Sequence, residues 1–484
     1  MPKLSAIFSS RRLCSLLRFL KGKERLLSMK RGNVHAQHTN YRMTVEDSSI
    51  NFKFITNYSE LGERMELLRK TVSAIMLTVL LTSMLTLAFN IQPAKAEPKT
   101  WTVDDDGPAD FHTIQEAINV ANPEDTVYVR EGTYYENLFV DKAISLVGQN
   151  RSKTVVDGVK TENVFWIVGK NVTVSGFTIR NSGYVELVVE EKFPDPYSSC
   201  GIFVEDSEGI VIADNVILNN GMGIVLLWVN HTTLINNVVI NNTARGIWLG
   251  GGTNNILKNN TIANNPFNFG VGSDKLIDFI HNIDVSNMIN DKPIYYWVNE
   301  KNKQVPSDAG YVAIVNSTNI VVKNLILANN VHGVNIVSTT NSIIRNLTVL
   351  ENDLGIYLRV GSKDNVIVGN KILDNTHGIG IDVYGVGVSS GNIICENDIM
   401  YNSNGFRLGY GGNNSIYHNN IINNTNQISI RLEAANSWDD GFPSGGNYWS
   451  DYADGDEYSG PNQNEPGGDG IGDTPYVIDE NNQD

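Results

Sequence analysis

The groups best placed to do chemistry in this chain are a guanidinium, a carboxylate and aromatic rings that share repeating positions. Three segments open on glycine and then alternate apolar residues: Gly355-Ile-Tyr-Leu358, Gly378-Ile-Gly-Ile381 and Gly405-Phe-Arg-Leu408. Aligned on the glycine, Arg359 and Asp382 occupy one position in neighbouring segments, and Tyr357 and Arg407 occupy another, two segments apart. Each sits next to an inward apolar residue, so each is expected to point outward. A sugar suits such a patch, with Arg359 and Asp382 on its hydroxyls and Tyr357 beneath a ring. Catalysis would need carboxylates as acid and base or nucleophile, or a base beside a cation. No carboxylate pair is set for those roles. Arg359, Asp382 and Arg407 are therefore candidate catalytic residues by position alone, and a solvated ion pair accounts for them more simply. Trp248, which alternates outward before Leu249, and Trp297 are candidate sugar-stacking rings beside Tyr357.

Metal chemistry has one candidate set. Asp451, Asp454, Asp456, Asp469 and Asp473 crowd a Gly-rich tail and offer the oxygen ligands that Ca²⁺ prefers. Their spacing is not that of the twelve-residue calcium loop, and solvated acidic turns are the competing account. Histidines 112, 231, 281, 332, 377 and 418 form no HxH cluster, although His332 and His377 lie two repeats apart. Cys14, Cys200 and Cys395 are far apart and outside any CxxC unit, which argues against structural zinc and a disulfide framework. Cys200 and Cys395 are expected to be buried thiols. G-x-S-x-G, H-E-x-x-H and P-loop motifs are absent.

These residues ride on a repeat. Asn-x-(Ile/Val)-x-x-Asn recurs at Asn215, Asn237, Asn260, Asn324, Asn370, Asn397 and Asn419, most often 22 or 23 residues apart. Short period-two strands follow, and no 3.6 period is sustained. A unit of this length without a helix fits one rung of a single right-handed parallel β-helix, an all-β solenoid, with Ile, Val and Leu stacked inward and Asn at the corners in left-handed geometry. Asp110–Ile118 predicts a short N-terminal capping helix with Thr113 as N-cap and Glu116 three residues later. The solenoid is expected over 97–435, with insertions near 184–199 and 284–311 and a smaller loop near 385–391; an irregular acidic cap follows over 436–484. Loops leaving a solenoid often form its working surface.

The formal net charge of −16 argues against a nucleic-acid partner. Residues 65–96 carry a basic start, the apolar run Val72–Phe89 and Ala94-Lys-Ala96, the arrangement of a signal peptide or, uncleaved, a membrane anchor. Residues 1–64 read as a basic extension, either upstream of the true start at Met65 or poorly ordered. A secreted or cell-envelope monomer is expected. Asn-x-Ser/Thr at Asn171, Asn230, Asn241, Asn316, Asn346 and Asn423 offers glycan sites, but also arises automatically from Asn-rich corners.

Phe111-His-Thr-Ile-Gln-Glu-Ala-Ile118, Asp125-Thr-Val-Tyr-Val129, Gly132-Thr-Tyr-Tyr-Glu136 and Thr154-Val-Val-Asp-Gly158 resemble the opening of pectin-lyase-like β-helix proteins. With the Asn-rich rungs, they resemble the NosD-type carbohydrate-binding and sugar-hydrolase proteins of archaea and bacteria. Pro293–Val298 and the tail segments Gly445–Tyr452 and Asp469–Tyr476 resemble archaeal members. The resemblance spans about 100–480 and implies a carbohydrate-directed or copper-accessory role. Three functions follow: a β-helix module that binds polysaccharide or an envelope partner, a polysaccharide lyase or glycoside hydrolase, and an accessory protein for a periplasmic metalloenzyme. The first is the main expectation, because no catalytic set stands out.

Overall fold

Each rung begins with a three-residue strand whose middle side chain alone is buried. In Val211–Ala213 it is Ile212, and in Val216–Leu218 it is Ile217. A longer strand, Met222–Leu227, closes the turn. Strands pair in parallel with their equivalents in the next rung, here 22 or 23 residues on: Ile212 with Leu234, Ile217 with Val239, Ile224 with Ile247. The result is an all-β right-handed parallel solenoid. The computed structural model describes residues 58–88, 97–183, 199–383, 387–430 and 435–484. The loop expected at 184–199 lies almost wholly outside them, as do residues 1–57.

The corners divide two tasks between adjacent residues. The left-handed backbone falls on Asp214, Asn219, Asn236, Asn241, Asn259 and Asn264. The residue after each is a buried Asn with ordinary φ, and these Asn side chains form ladders along the axis. Asn215 Nδ2 donates to Asn237 Oδ1 at 3.2 Å, Asn237 to Asn260 at 3.0 Å, and Asn260 to Asn287 at 2.8 Å. The same oxygens also accept backbone N–H groups of the preceding rung. Each amide thus satisfies donors and acceptors that the turning backbone would otherwise bury unpaired. The exposed left-handed sites also hold Glu351, Asp374 and Tyr401, and the buried site holds Leu325 and Leu347 in two rungs, so Asn is the rule in the corner and not a requirement.

The stack is not continuous. One 14-stranded sheet runs its full length, but the other walls change over near residue 290. Strand Met288–Ile289 pairs antiparallel with Lys292–Val298, which then pairs parallel with Tyr311–Val315. The insertion expected at 284–311 is therefore a joint between a first stack, up to about Ile289, and a second that starts at Lys292. The helix Ile114–Val120 buries Ile114, Ala117 and Ile118 at the start of the first stack. Its expected capping box does not form. Thr113 makes no side-chain cap bond, and Glu136 instead accepts the amides of Ile114 and Gln115 at 2.8 and 2.9 Å.

The tail closes the second stack with Trp438 and Trp449 buried and Trp449 stacked on Tyr476 at 4.2 Å. Two small antiparallel pairs complete it. Asp484 accepts from Asn447 Nδ2 at 3.0 Å, so a carboxylate ends the ladder Asn370–Asn397–Asn419–Asn447. Cys200 is buried and Cys395 only half-buried, and neither is in a disulfide. A separate unit ahead of Ala96 contains the helix Tyr58–Ala88. Among the described residues, no helix is long and apolar enough to cross a membrane.

Removing one ladder amide strands partners on both sides. Asn397 Nδ2 bonds Ile367 O, Cys395 O and Asn419 Oδ1, and its Oδ1 accepts from Asn370. In urea denaturation, Asn397→Ala should cost about 3 kcal/mol, whereas Lys371→Ala on the exposed wall should cost less than about 0.5 kcal/mol.

Candidate functional site

The joint explains where most of the expected site residues went. In strand Tyr311–Val315 every residue is buried, because the strand has a core on both faces. Val312 and Ile314 point into the second stack, while Tyr311, Ala313 and Val315 complete the core of the first. Tyr311 meets Phe269 edge-on at 5.0 Å. The next strands, His332–Val337 and Leu354–Arg359, are covered on both faces in the same way.

The outward patch is therefore not a surface. Tyr357 is 1% exposed, Arg359 5% and Asp382 0%. Period-two alternation separates the inside of a rung from its outside, and it carries no signal that a second stack covers the outside. Arg359 donates to Ser273 O at 2.5 Å and lies 4.6 Å from the Tyr357 ring and 5.1 Å from Phe279. It works as a pin between the stacks. No Arg359–Asp382 ion pair forms among the described residues. Asp382 instead accepts the amide of Ser389, and burial pushes its carboxyl up. Arg407 does occupy the Tyr357 position two rungs on, through Gly380, and it contacts His377.

Trp248 is half-buried against the joint, 6.3 Å from His332, with Arg245 4.7 Å over its ring. His332 stacks on Tyr357 at 5.7 Å. Arg245 also reaches across to Asp353 at 3.2 Å. The close approach requires Gly270, where a Cβ would fall 2.5 Å from that of Val331. Trp297 is no open platform either. It is half-buried against the second core, edge-on to Tyr295 at 6.1 Å with Lys303 5.5 Å away.

The five tail carboxylates do not converge on an ion. Three of them tie the 456–460 segment to the 469–473 segment: Asp456 accepts the amides of Asp469 and Gly470, Asp469 those of Gly460 and Ile471, and Asp473 those of Glu457 and Tyr458. Asp454 accepts from Thr474, and Asp451 from Tyr476 and Gln427. As described, the five do not form a close cluster of ligand atoms, and each is engaged as a hydrogen-bond acceptor. Among the described residues, Asp104, Asp105 and Asp106 are the acidic, His or Cys groups that come close enough to share an ion. Asp104 and Asp106 border an open groove of about 510 Å³ lined also by Tyr128, Arg130, Glu131 and Gln149. Burial pushes the Asp104 carboxyl up, but Arg130 and the amides of Gly107 and Asp106 outweigh it and hold the group below its ordinary range. Glu131 is paired with Lys153 at 3.1 Å.

An aromatic row on the outer wall of the first stack escaped the sequence reading. Phe139, Trp166, Phe203, Val225 and Trp248 are register partners on successive strands. Phe139 and Trp166 are each 42% exposed, with rings 5.3 Å apart. Gln115 fixes Phe139 from the helix, bonding both its N–H and its C=O. The signal was present in Leu138-Phe-Val140 and Phe165-Trp-Ile167, apolar triplets whose middle residue faces out. These early rungs lack the Asn pair that made the later register readable.

The family described as "Periplasmic copper-binding protein (NosD)" matches residues 118–275 and 276–454, and the two matches meet beside the joint. No curated protein matches the sequence significantly. Similar solved structures include the A-module of mannuronan C-5 epimerase AlgE6 of Azotobacter vinelandii, at 17% identity and TM-score 0.32, covering 67% of this chain and 92% of that one. The DFA-IIIase of Arthrobacter chlorophenolicus is similar at 13% identity and TM-score 0.33, covering 69% and 90%. Carrot pectin methylesterase is similar at 14% identity and TM-score 0.30, covering 63% and 85%.

Acid should loosen the joint. Burial lowers His332 well below its usual value, with Arg359 and Arg245 adding to the effect. Burial likewise lowers His281 and His377 to about 4, Arg407 contributing at His377. Below the ordinary histidine pKa of about 6.5 the unfolded chain binds protons that the folded chain refuses, so stability falls as pH drops from about 6.5 towards 4. His332→Gln should flatten that slope in urea titrations at stepped pH. Arg359→Met should raise amide exchange across strands Phe267–Gly272 and Leu354–Arg359 while leaving Val127–Leu146 protected.

Proposed function

The chain belongs to the NosD family, and from that premise we propose that it is a carbohydrate-recognising solenoid whose ligand lies along the outer wall of the first stack. The observation that carries this reading is the exposed pair Phe139 and Trp166, held in register one rung apart. Rigid aromatic faces bury the apolar C–H face of a sugar at small entropic cost, and their polar edges leave its hydroxyls in water.

The copper in the family's description does not fit the side chains that cluster among the described residues. Copper favours imidazole, thiolate or thioether ligands. Among the described residues, the one close group is Asp104–Asp106, with oxygen ligands alone, and no His or Cys joins it. His332 and His281 are buried within the joint, packed on Tyr357 and Tyr296.

Cleavage is the second reading, favoured by the groove where Asp104, Asp106 and Glu131 surround Arg130. A lyase or hydrolase needs a free base or a protonated acid there. Asp104 pairs with Arg130 and Glu131 with Lys153, while Asp106 makes no ion pair among the described residues.

The two readings separate on a polysaccharide panel incubated with the full chain. Saturable retention without new reducing ends or unsaturated products is expected. Product release that survives Phe139→Ala but not Glu131→Gln would replace the binding reading with cleavage in the groove. Stoichiometric Cu²⁺ should leave the thermal midpoint unchanged, and a stabilisation of several degrees would restore the metal reading.

A further inference from the structure

Resting on that reading, we infer that the aromatic row selects a neutral, extended polysaccharide and aligns it parallel to the solenoid axis. Phe139 and Trp166 sit on parallel strands in direct register. Neighbouring strands are about 4.8 Å apart, close to the advance of one pyranose ring in an extended β-linked chain. A flat ribbon of sugars laid along the axis therefore meets the two exposed rings, Phe139 and Trp166, on successive rungs, one set edge-on to the other. A chain laid across the axis meets one aromatic and then a corner.

The row is also rigid before any ligand arrives. Leu138–Val140 is the first strand of its six-stranded sheet. An edge of this kind would leave N–H and C=O groups open. The Gln115 side chain closes it, accepting from Phe139 N at 2.8 Å and donating to Phe139 O at 3.2 Å. The same helix is fixed at its start by Glu136 and at its end by Lys142 Nζ, which donates to Ile118, Asn119 and Ala121 carbonyls.

Charge decides the ligand class. A polyuronate carries one negative charge per sugar and needs cations beside the rings. The lysines nearest the row in sequence are both engaged: Lys142 on the helix carbonyls, Lys170 in an ion pair with Glu208 at 2.8 Å. Asp141 and Glu162, in the connections flanking the two strands, stand exposed. With a net charge of −16 on the whole chain, the wall repels a polyanion and leaves a neutral glycan unaffected.

Affinity electrophoresis of the full chain through gels containing hydroxyethyl cellulose, polygalacturonate or alginate tests this. Retardation by the neutral polymer is expected, insensitive to salt between 50 and 500 mM. The double variant Phe139→Ala/Trp166→Ala should bind at least about tenfold more weakly. Trp228→Ala, which removes an exposed ring outside the row, should bind like the unaltered chain, and near-UV circular dichroism reports whether each variant keeps its fold. Retardation by the acidic polymers, or neutral binding that survives the double change, would overturn this inference and leave carbohydrate recognition standing. Failure of every polymer to retard the chain would overturn both.

Discussion

A backbone that turns three times per rung must bury its corners against the next rung, and each buried corner exposes N–H and C=O groups with no strand partner. The asparagine amide answers that constraint with a donor and an acceptor on one short stem. It reads the rung before it and the rung after it, so ladders such as Asn375–Asn402–Asn424 tie corners together much as the strands tie walls together. In other ladders hydroxyls substitute, as with Thr339, Ser362 and Ser389. Inward Ile, Val and Leu supply most of the apolar burial, but the amides fix the register. A slip by one residue would move every ladder Asn into the left-handed exposed position and every exposed residue into the corner.

That constraint is what made the fold readable. Asn ahead of a glycine-led strand locates most rungs from about residue 200 onward, and the inward residues follow by alternation; Asn324 and Asn329 are one residue out, on left-handed sites with Leu325 and Asn330 in the corners. The capping helix was equally legible from Ile114, Ala117 and Ile118, although its real cap, Glu136, lies a rung away where local spacing has no access to it. The joint was illegible for the same reason. Tyr311, Ala313 and Val315 declare a strand, and the unbroken apolar run Gly310–Val315 hints at two covered faces, but nothing local names the Phe269 and Phe279 that cover the second face.

The candidate site shows the limit more sharply. Residue types singled out Arg359, Tyr357 and Trp248 as unusual outward side chains, and Tyr357 does share its position with Arg407 through Gly380. What they do depends on a surface assembled from residues more than eighty positions away, where Ser273 holds the arginine. Conversely Phe139 and Trp166, which stay open, sit in rungs with weak corner signals. An outward aromatic in a solenoid is thus ambiguous between glue and platform until the neighbouring stack is placed.

The shared 14-stranded sheet has a further consequence for how such chains can change length. The second stack rests on the first through its early strands, while the later ones, Asn404–Leu408 and Asn426–Ile430, lead away from the contact. Inserting or deleting a whole rung near residue 400 would lengthen or shorten the free arm and leave the joint in phase. The same change between Gly246 and Phe279 would move Trp248 and Gly270 past their partners by one strand width. Copy-number variation is therefore cheap at one end of this solenoid and strongly selected against in its middle, so duplicated rungs among relatives should cluster beyond the fourth strand of the second stack.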